Sequence, residues 1–374
     1  MKDRTPHELY CEIISVFPSD NPGYGYDAKK RTEVEHPMTY ALILMAEVNQ
    51  HKLLESHDAG LISTCFNWLV RNYDLDEDGH AGWGLPFAWD AFQDGVGAAG
   101  ETNPPNHPYT ITTALVMHSL LDLLSLEILE NSERDSCIDI LRNAAIQWCE
   151  NSFSTTKDGG HFWYSPFEGD SGNCPNVSIM MASAIERLRI SYGESLEGVA
   201  DLLKSRTRSV MSTIVGTAMH TKQGVFWLYQ QDSEERTYTN DAVHHAYILL
   251  GMMKYLRSND EFKIEWWNPE YILDSISAFI DQESVLEYPR IGRPDLLPSG
   301  NNTDLEMRMW GVGAMLAALA MLQNAGLISA ESEKRNHVLT EILLDNVVYS
   351  IGKDVLDFRQ LSHVVWGLSM NCID

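Results

Sequence analysis

Side chains that could do acid–base chemistry gather in six short turns along the chain. Asp90, Asp241, Asp304 and Glu306 supply carboxylates, and His36, His107, His161, His244, His245 and His363 supply imidazoles. Tyr109 and Tyr238 add phenols, and Arg293, Arg308 and Arg359 add guanidinium groups. This set can move protons and neutralise charge that develops during a reaction. Asp241 with His245, and Asp304 with Arg308, are spaced i, i+4, so on a helix each pair shares a face. Each carboxylate taken singly also reads as a helix cap or a satisfied buried group. Together they place an unusually polar end on otherwise apolar segments, which is a mark of a functional site.

A second recurring element is a glycine turn followed by aromatics. It appears as Gly79 to Asp90, containing Trp83 and Trp89, as Asp158 to Tyr164, containing His161 and Trp163, and as Gly224 to Tyr229, containing Trp227. Glycine lets the backbone turn tightly, and Trp and Tyr offer flat apolar faces with a polar tip, a surface that suits a pyranose ring. The bland reading is that these aromatics plug the core. Three such segments aimed at one rim favour a binding cleft.

The elements that must position these residues follow from the pattern around them. His36-Pro37-Met38-Thr39 and His107-Pro108-Tyr109-Thr110 read almost alike, and each opens a long apolar run. Four further starts lie at Cys174, Tyr238, Thr303 and Asp357, before runs Val177 to Leu188, Ala242 to Met253, Met307 to Leu322 and Gln360 to Met370. The spacing of roughly 55 to 70 residues is longer than a solenoid repeat and fits a helical hairpin with an elaborated loop. Between the runs lie amphipathic segments, Gly60 to Asn72, Arg134 to Asn151, Leu196 to Met219, Pro269 to Gln282 and Ser332 to Tyr349. Helices apolar all round belong inside and amphipathic ones outside. The pattern predicts an all-α (α/α)6 toroid in one domain over residues 1–374, with short β-hairpins in the loops and an irregular entry loop from Pro18 to Glu35.

Composition sets outer limits. The 374 residues carry a net charge of −26 with 44% hydrophobic residues and ten Trp, ample for a large core. Such an acidic balance argues against nucleic acid as a partner. No apolar run has the length of a membrane span, so membrane insertion is not expected. Scattered cysteines without close metal spacing, and an N-terminus without a leader pattern, favour a cytoplasmic setting. Asp74, Asp76 and Asp78 with Gly79 have the spacing of a calcium loop, but Leu85 stands where the closing Glu belongs. A partial structural calcium site and a solvated acidic turn are the two readings, and no cofactor is required. No P-loop, dinucleotide fingerprint, serine elbow or zinc helix motif is present.

Gly82 to Trp89, before the Thr-rich helix start Tyr109 to Thr113, resembles (α/α)6 toroids, the architecture of terpenoid cyclases, uronate-active lyases and hydrolases, and sugar epimerases. Within it the sequence is similar to toroid proteins associated with bacterial surface-polysaccharide assembly. The resemblance implies a carbohydrate-active protein binding an oligo- or polysaccharide in the toroid funnel. The leading expectation is glycoside hydrolysis, with Asp90 and Asp241 as acid and base and Glu306 as substitute. The alternative is a uronate-directed lyase or epimerase, with Tyr109, Tyr238, His107 or His244 as base or acid and Arg308 and Arg359 as charge partners. His36, Trp83, Trp89, His161, Trp163, Trp227 and His363 complete the expected sugar-binding set. A non-catalytic glycan-binding protein and an isoprenoid cyclase are the remaining classes; a cyclase would need a dry aromatic cavity. Oligomeric state is open.

Overall fold

The computed structural model describes residues 4–54, 57–90, 103–232, 234, 238–259, 261–282, 284–298, 305–324, 328–351 and 357–372. Asp304, and with it the expected Asp304 to Arg308 pair, lies outside them.

Six helices are buried on nearly every side: α2 (Pro37–Leu54), α4 (Thr110–Leu124), α6 (Pro175–Ser191), α8 (Ala242–Ser258), α10 (Met309–Asn324) and α12 (Phe358–Met370). Each packs on the next, and α12 packs on α2, which closes the ring. The outer helices are α1 (Pro6–Ile14), α3 (Ala59–Arg71), α5 (Asn131–Asn151), α7 (Ala200–Gly216), α9 (Pro269–Ser277) and α11 (Ala330–Ile351). Close packing between α10 and α12 depends on two glycines. A Cβ on Gly313 would run into the His363 backbone, and one on Gly367 would run into the Gly313 carbonyl.

Two elements depart from the sequence expectation. Thr5 caps α1 through a reciprocal box with Glu8, and α1 packs against α12, so the first outer helix completes the last hairpin. The expected entry loop contains a hairpin, β1 (Tyr24–Asp27) with β2 (Thr32–Glu35). Its tip is held by Asp27, which accepts the Lys29 and Lys30 amides, and by the Ala28 amide, which donates to Asp357 at 2.9 Å. The other short antiparallel pairs are β3 (Phe153–Thr156) with β4 (Gly159–Phe162), β5 (Met219–Thr221) with β6 (Gly224–Phe226), and β7 (Ile280–Asp281) with β8 (Ser284–Val285). Among the described residues, no helix is long and apolar enough to cross a membrane.

Candidate functional site

A cavity of about 340 Å³ opens at the N-terminal end of the inner ring, and all six inner helices reach it. Met38, Thr112, Asn176, His244, Trp310 and Gln360 each contribute from a different first turn. The remaining wall comes from the hairpin tip and from loops, which add Lys29, Leu85, Trp89, Tyr164, Tyr229 and Tyr288.

Asp241 is the centre of its polar side. As N-cap of α8 it accepts the His244 amide at 3.1 Å, and the same oxygen meets His244 Nδ1 at 2.5 Å. Its other oxygen accepts Arg308 Nη2 at 2.8 Å. Arg308 is gripped on its far side by Glu287, through its backbone amide at 2.9 Å and Nε at 2.6 Å. Burial pushes the Asp241 carboxyl up, but His244 and then Arg308 outweigh it and hold the group below the usual carboxylate range. Glu287 moves the other way, raised by burial and by the Asp241 charge. Asp357, N-cap of α12, accepts the Ala28 and Gln360 amides and lines the same cavity.

Tyrosines make up much of the wall. Tyr229 stacks on Tyr238 at 5.8 Å and meets the His244 ring edge-on at 5.1 Å. Tyr109 donates to the Trp89 carbonyl at 3.0 Å. Burial pushes the phenols of Tyr109, Tyr164, Tyr229, Tyr247 and Tyr288 above their ordinary value, so they remain protonated donors. Tyr247 is set by His363, whose Nδ1 donates to the Arg359 carbonyl at 2.6 Å and leaves Nε2 to accept the phenol at 2.5 Å.

Of the residues expected from sequence, the structure brings Asp241, His244, Tyr109, Tyr238, Trp89, Arg308 and Arg359 onto the cavity. It places the others elsewhere, each for a physical reason. Trp83 and Trp227 are core, with indole N–H groups donated to the Leu69 and Ile214 carbonyls. Trp163 turns outward to the Ser154 hydroxyl, and His161 is buried against the Ser171 carbonyl. His36 is buried against the Phe87 edge, and burial followed by Arg359 holds its pKa well below the ordinary value. His107 lies 3.6 Å from Asp76, and His363 stands behind Tyr247. Asp90 is half-buried beside Trp89 without lining the cavity, and Glu306 is exposed, bridged through its backbone to Leu286. His245 does not pair with Asp241. It packs among Phe226, Trp227 and Phe279, and burial lowers its pKa to about 3.

The site also holds residues that sequence reasoning passed over. Tyr164 and Tyr229 belong to the very Gly-aromatic segments that pointed to Trp163 and Trp227. These segments present their tyrosines to the cavity and bury or turn away the larger indoles. Strand-like alternation after Gly160 could have found Tyr164. Asp357 was legible only as the start of an inner run, and nothing in the sequence marks Glu287 or Lys29. The motif glycine Gly84 is needed because a Cβ there would strike the His107 carbonyl, so this motif packs loop on loop more than it binds.

Away from the cavity, Asp74, Asp76 and Asp78 bring carboxylate oxygens within 4.8 Å of one another. Asp74 already accepts the Asp78 and Gly79 amides, and Asp78 accepts the His80 amide. Leu85, in the place of a closing Glu, faces the cavity instead. The turn therefore closes through its own backbone.

The ring is an (α/α)6 toroid and is similar to solved structures of carbohydrate-active proteins. One is the family 76 alpha-1,6-mannanase from a Salegentibacter species, at 9% identity and TM-score 0.61 over 98% of each chain. A second is a reducing-end-xylose releasing exo-oligoxylanase complexed with xylobiose, at 13% identity and TM-score 0.58 over 98% of this chain and 92% of that one. A third is a glycosyl hydrolase family 88 protein from Bacteroides vulgatus, at 9% identity and TM-score 0.54 over 98% and 99%. At these identities the likeness is one of fold. No protein-family profile and no curated protein sequence matches the chain.

Proposed function

We propose that the protein is a carbohydrate-active enzyme that hydrolyses a glycosidic bond of an oligo- or polysaccharide held in the ring's cavity. The observation that carries this reading is the meeting of two buried carboxyls, Asp241 and Asp357, with His244 and a wall of flat aromatic faces. Glycosidases pair an acid that protonates the leaving oxygen with a base that activates water. Asp241 is held anionic, so it suits charge stabilisation rather than proton donation. Glu287, the carboxyl raised by burial, is sealed behind Arg308. His244 is therefore the donor: Asp241 holds Nδ1, and Nε2 delivers the proton. Asp357 takes the proton from the attacking water.

The likeness to the mannanases supports the class but not the details. An inactive variant of the Salegentibacter mannanase, with two consecutive aspartates changed to asparagine, was solved with alpha-1,6-mannotriose, at 10% identity and TM-score 0.60 over 99% of this chain and 98% of that one. This chain contains no two consecutive aspartates, and the two carboxyls proposed here come from separate turns.

A second reading is favoured by the Asp241–His244 pair beside Arg308 and Arg359. His244 would remove a proton next to a uronate carboxylate, giving elimination or epimerisation. The raised phenol of Tyr109 argues against a tyrosine base in that chemistry. An isoprenoid cyclase is disfavoured, because among the described residues the wall carries Arg, Lys and His and no Phe.

The test is turnover and binding by Asp241→Asn, His244→Gln and Asp357→Asn against a panel of oligosaccharides. Each should lose about 100- to 10,000-fold in turnover with binding kept within a few fold. Reducing ends distinguish hydrolysis from the ultraviolet absorbance of an unsaturated uronate. Undiminished turnover in all three variants would sink the proposal. Equal loss of binding and turnover would point to a glycan-binding protein.

A further inference from the structure

Basic residues are scarce in this chain, 27 against 53 acidic ones, yet Lys29, Arg308 and Arg359 all line one cavity. Arg308 is neutralised by Asp241 and Glu287. The other two are held less tightly among the described residues. Arg359 has one long ion pair, 3.9 Å to Asp27, and its buried Nε has no hydrogen-bond partner among the described residues. Lys29 has no carboxylate within ion-pair distance among the described residues, and its ammonium lies 3.2 Å from the centre of the Trp89 ring. The Arg308 and Arg359 guanidinium groups lie 4.5 and 5.0 Å from the Trp310 ring. These cations gather at the N-terminal ends of the inner helices, where the backbone dipoles are already positive. Burial first, and then Arg359 and Lys30, lowers the Lys29 pKa to about 8. A cation cluster kept in such a place, with an unfilled buried donor, is built for an anion.

We propose that Lys29 and Arg359, carried on the faces of Trp89 and Trp310, form a subsite for an oxyanion substituent of the bound sugar, a uronate carboxylate or a sulfate ester. This deepens the carbohydrate reading and rests on it for the sugar. The hairpin tip that presents Lys29 is clipped to Asp357, so the subsite is tied to the carboxyl assigned as base.

The experiment is calorimetric titration of the full chain with three matched trisaccharides, neutral, uronate-bearing and sulfated, and with sodium glucuronate and sodium sulfate as bare probes. At least one acidic trisaccharide should bind about tenfold or more tighter than the neutral one. Which of the two acidic forms holds that preference identifies the anion. The margin should shrink to about threefold or less in Lys29→Met and in Arg359→Gln, and Arg359→Lys should restore part of it. Should Arg359→Gln fail to fold, Lys29→Met on the exposed hairpin tip still decides. Equal affinity for neutral and acidic trisaccharides, with the neutral one cleaved, overturns the subsite and leaves the hydrolase reading standing. Glucuronate or sulfate bound by the wild type and lost in the variants, with no saccharide cleaved, supports the subsite and counts against the hydrolase.

Discussion

Both ends of the inner ring hold buried charge, but at the C-terminal ends the charges agree with the helix dipoles, and at the N-terminal ends they partly oppose them. The C-terminal ends carry Lys52, Arg187, Arg189, Lys254 and Arg257. There Arg187 binds Asp122 at 2.7 Å and approaches His118 Nδ1 at 3.1 Å, while His118 Nε2 meets the Ser183 hydroxyl at 3.0 Å. Burial pushes the Asp122 carboxyl up, but Arg187, Lys254 and Lys52 overcome it and hold the group far below its usual range. Cations at the C-terminal ends of three inner helices, with Asp122 paired to Arg187 and Glu186 to Arg189, form an arrangement that stability alone explains. At the cavity end, Asp241 and Asp357 cap their helices in the favourable sense. Lys29 and Arg359 sit there in the unfavourable sense, and stability does not explain them. The difference separates charge kept for folding from charge kept for a ligand.

Breaking the C-terminal cluster should cost the most stability. Asp122→Asn leaves Arg187 and Lys254 without their carboxylate, and the loss should be about 3 kcal/mol, the lower end for a buried pair because the Asp122 side chain is still 18% exposed. Urea unfolding measures it, and saccharide affinity of the folded fraction should not change. A loss under about 1 kcal/mol would mean that the cluster is as dispensable as a surface pair.

The cavity cations should behave in the opposite way. Lys29→Met and Arg359→Gln should leave the urea midpoint unchanged or raise it, since each removes a cation from positive helix ends. Binding of an acidic trisaccharide should also weaken as pH rises through about 8, where Lys29 loses its proton, and Lys29→Met should flatten that profile. A destabilised Lys29→Met with a flat profile in the wild type would return this residue to the structural class.

The smallest effect tests buried imidazoles that serve neither end. His245, lowered to about 3, stays neutral in the fold, whereas in the unfolded chain it protonates near its ordinary 6.5. The unfolded state then binds more protons, so stability present above 6.5 is lost as pH falls. Between pH 7 and 5.5 this one group should account for about 1 kcal/mol. His245→Phe, among Phe226, Trp227 and Phe279, should reduce the slope of unfolding free energy against pH by that amount.

Most of the ring was legible because its signals are local. Apolar all-round runs such as Met307 to Leu322 cannot face water, and amphipathic ones such as Gly60 to Asn72 must cover something. The first outer helix was missed although Thr5 and Glu8 spell a capping box, because nine residues carry too little periodicity to stand out. The site was legible only where a residue sits at a helix start. Asp241, His244, Arg308 and Arg359 were found that way. Asp90 and Glu306 were misplaced, because a residue in a loop carries no periodicity to fix its direction.

The sequence by itself determined that six buried helices begin in polar turns, so that any end where those turns meet is polar. Burial and helix geometry put the six all-round apolar runs inside and the amphipathic ones outside. Tertiary structure alone decided which side chains share the cavity. Glu287 reaches Arg308 across 21 residues, and Ala28 reaches Asp357 across 329. Loop direction also settled that Tyr164 and Tyr229 face inward where Trp163 and Trp227 do not. Contacts between parts of the chain so far apart are fixed by the closing of the ring, which no local pattern encodes.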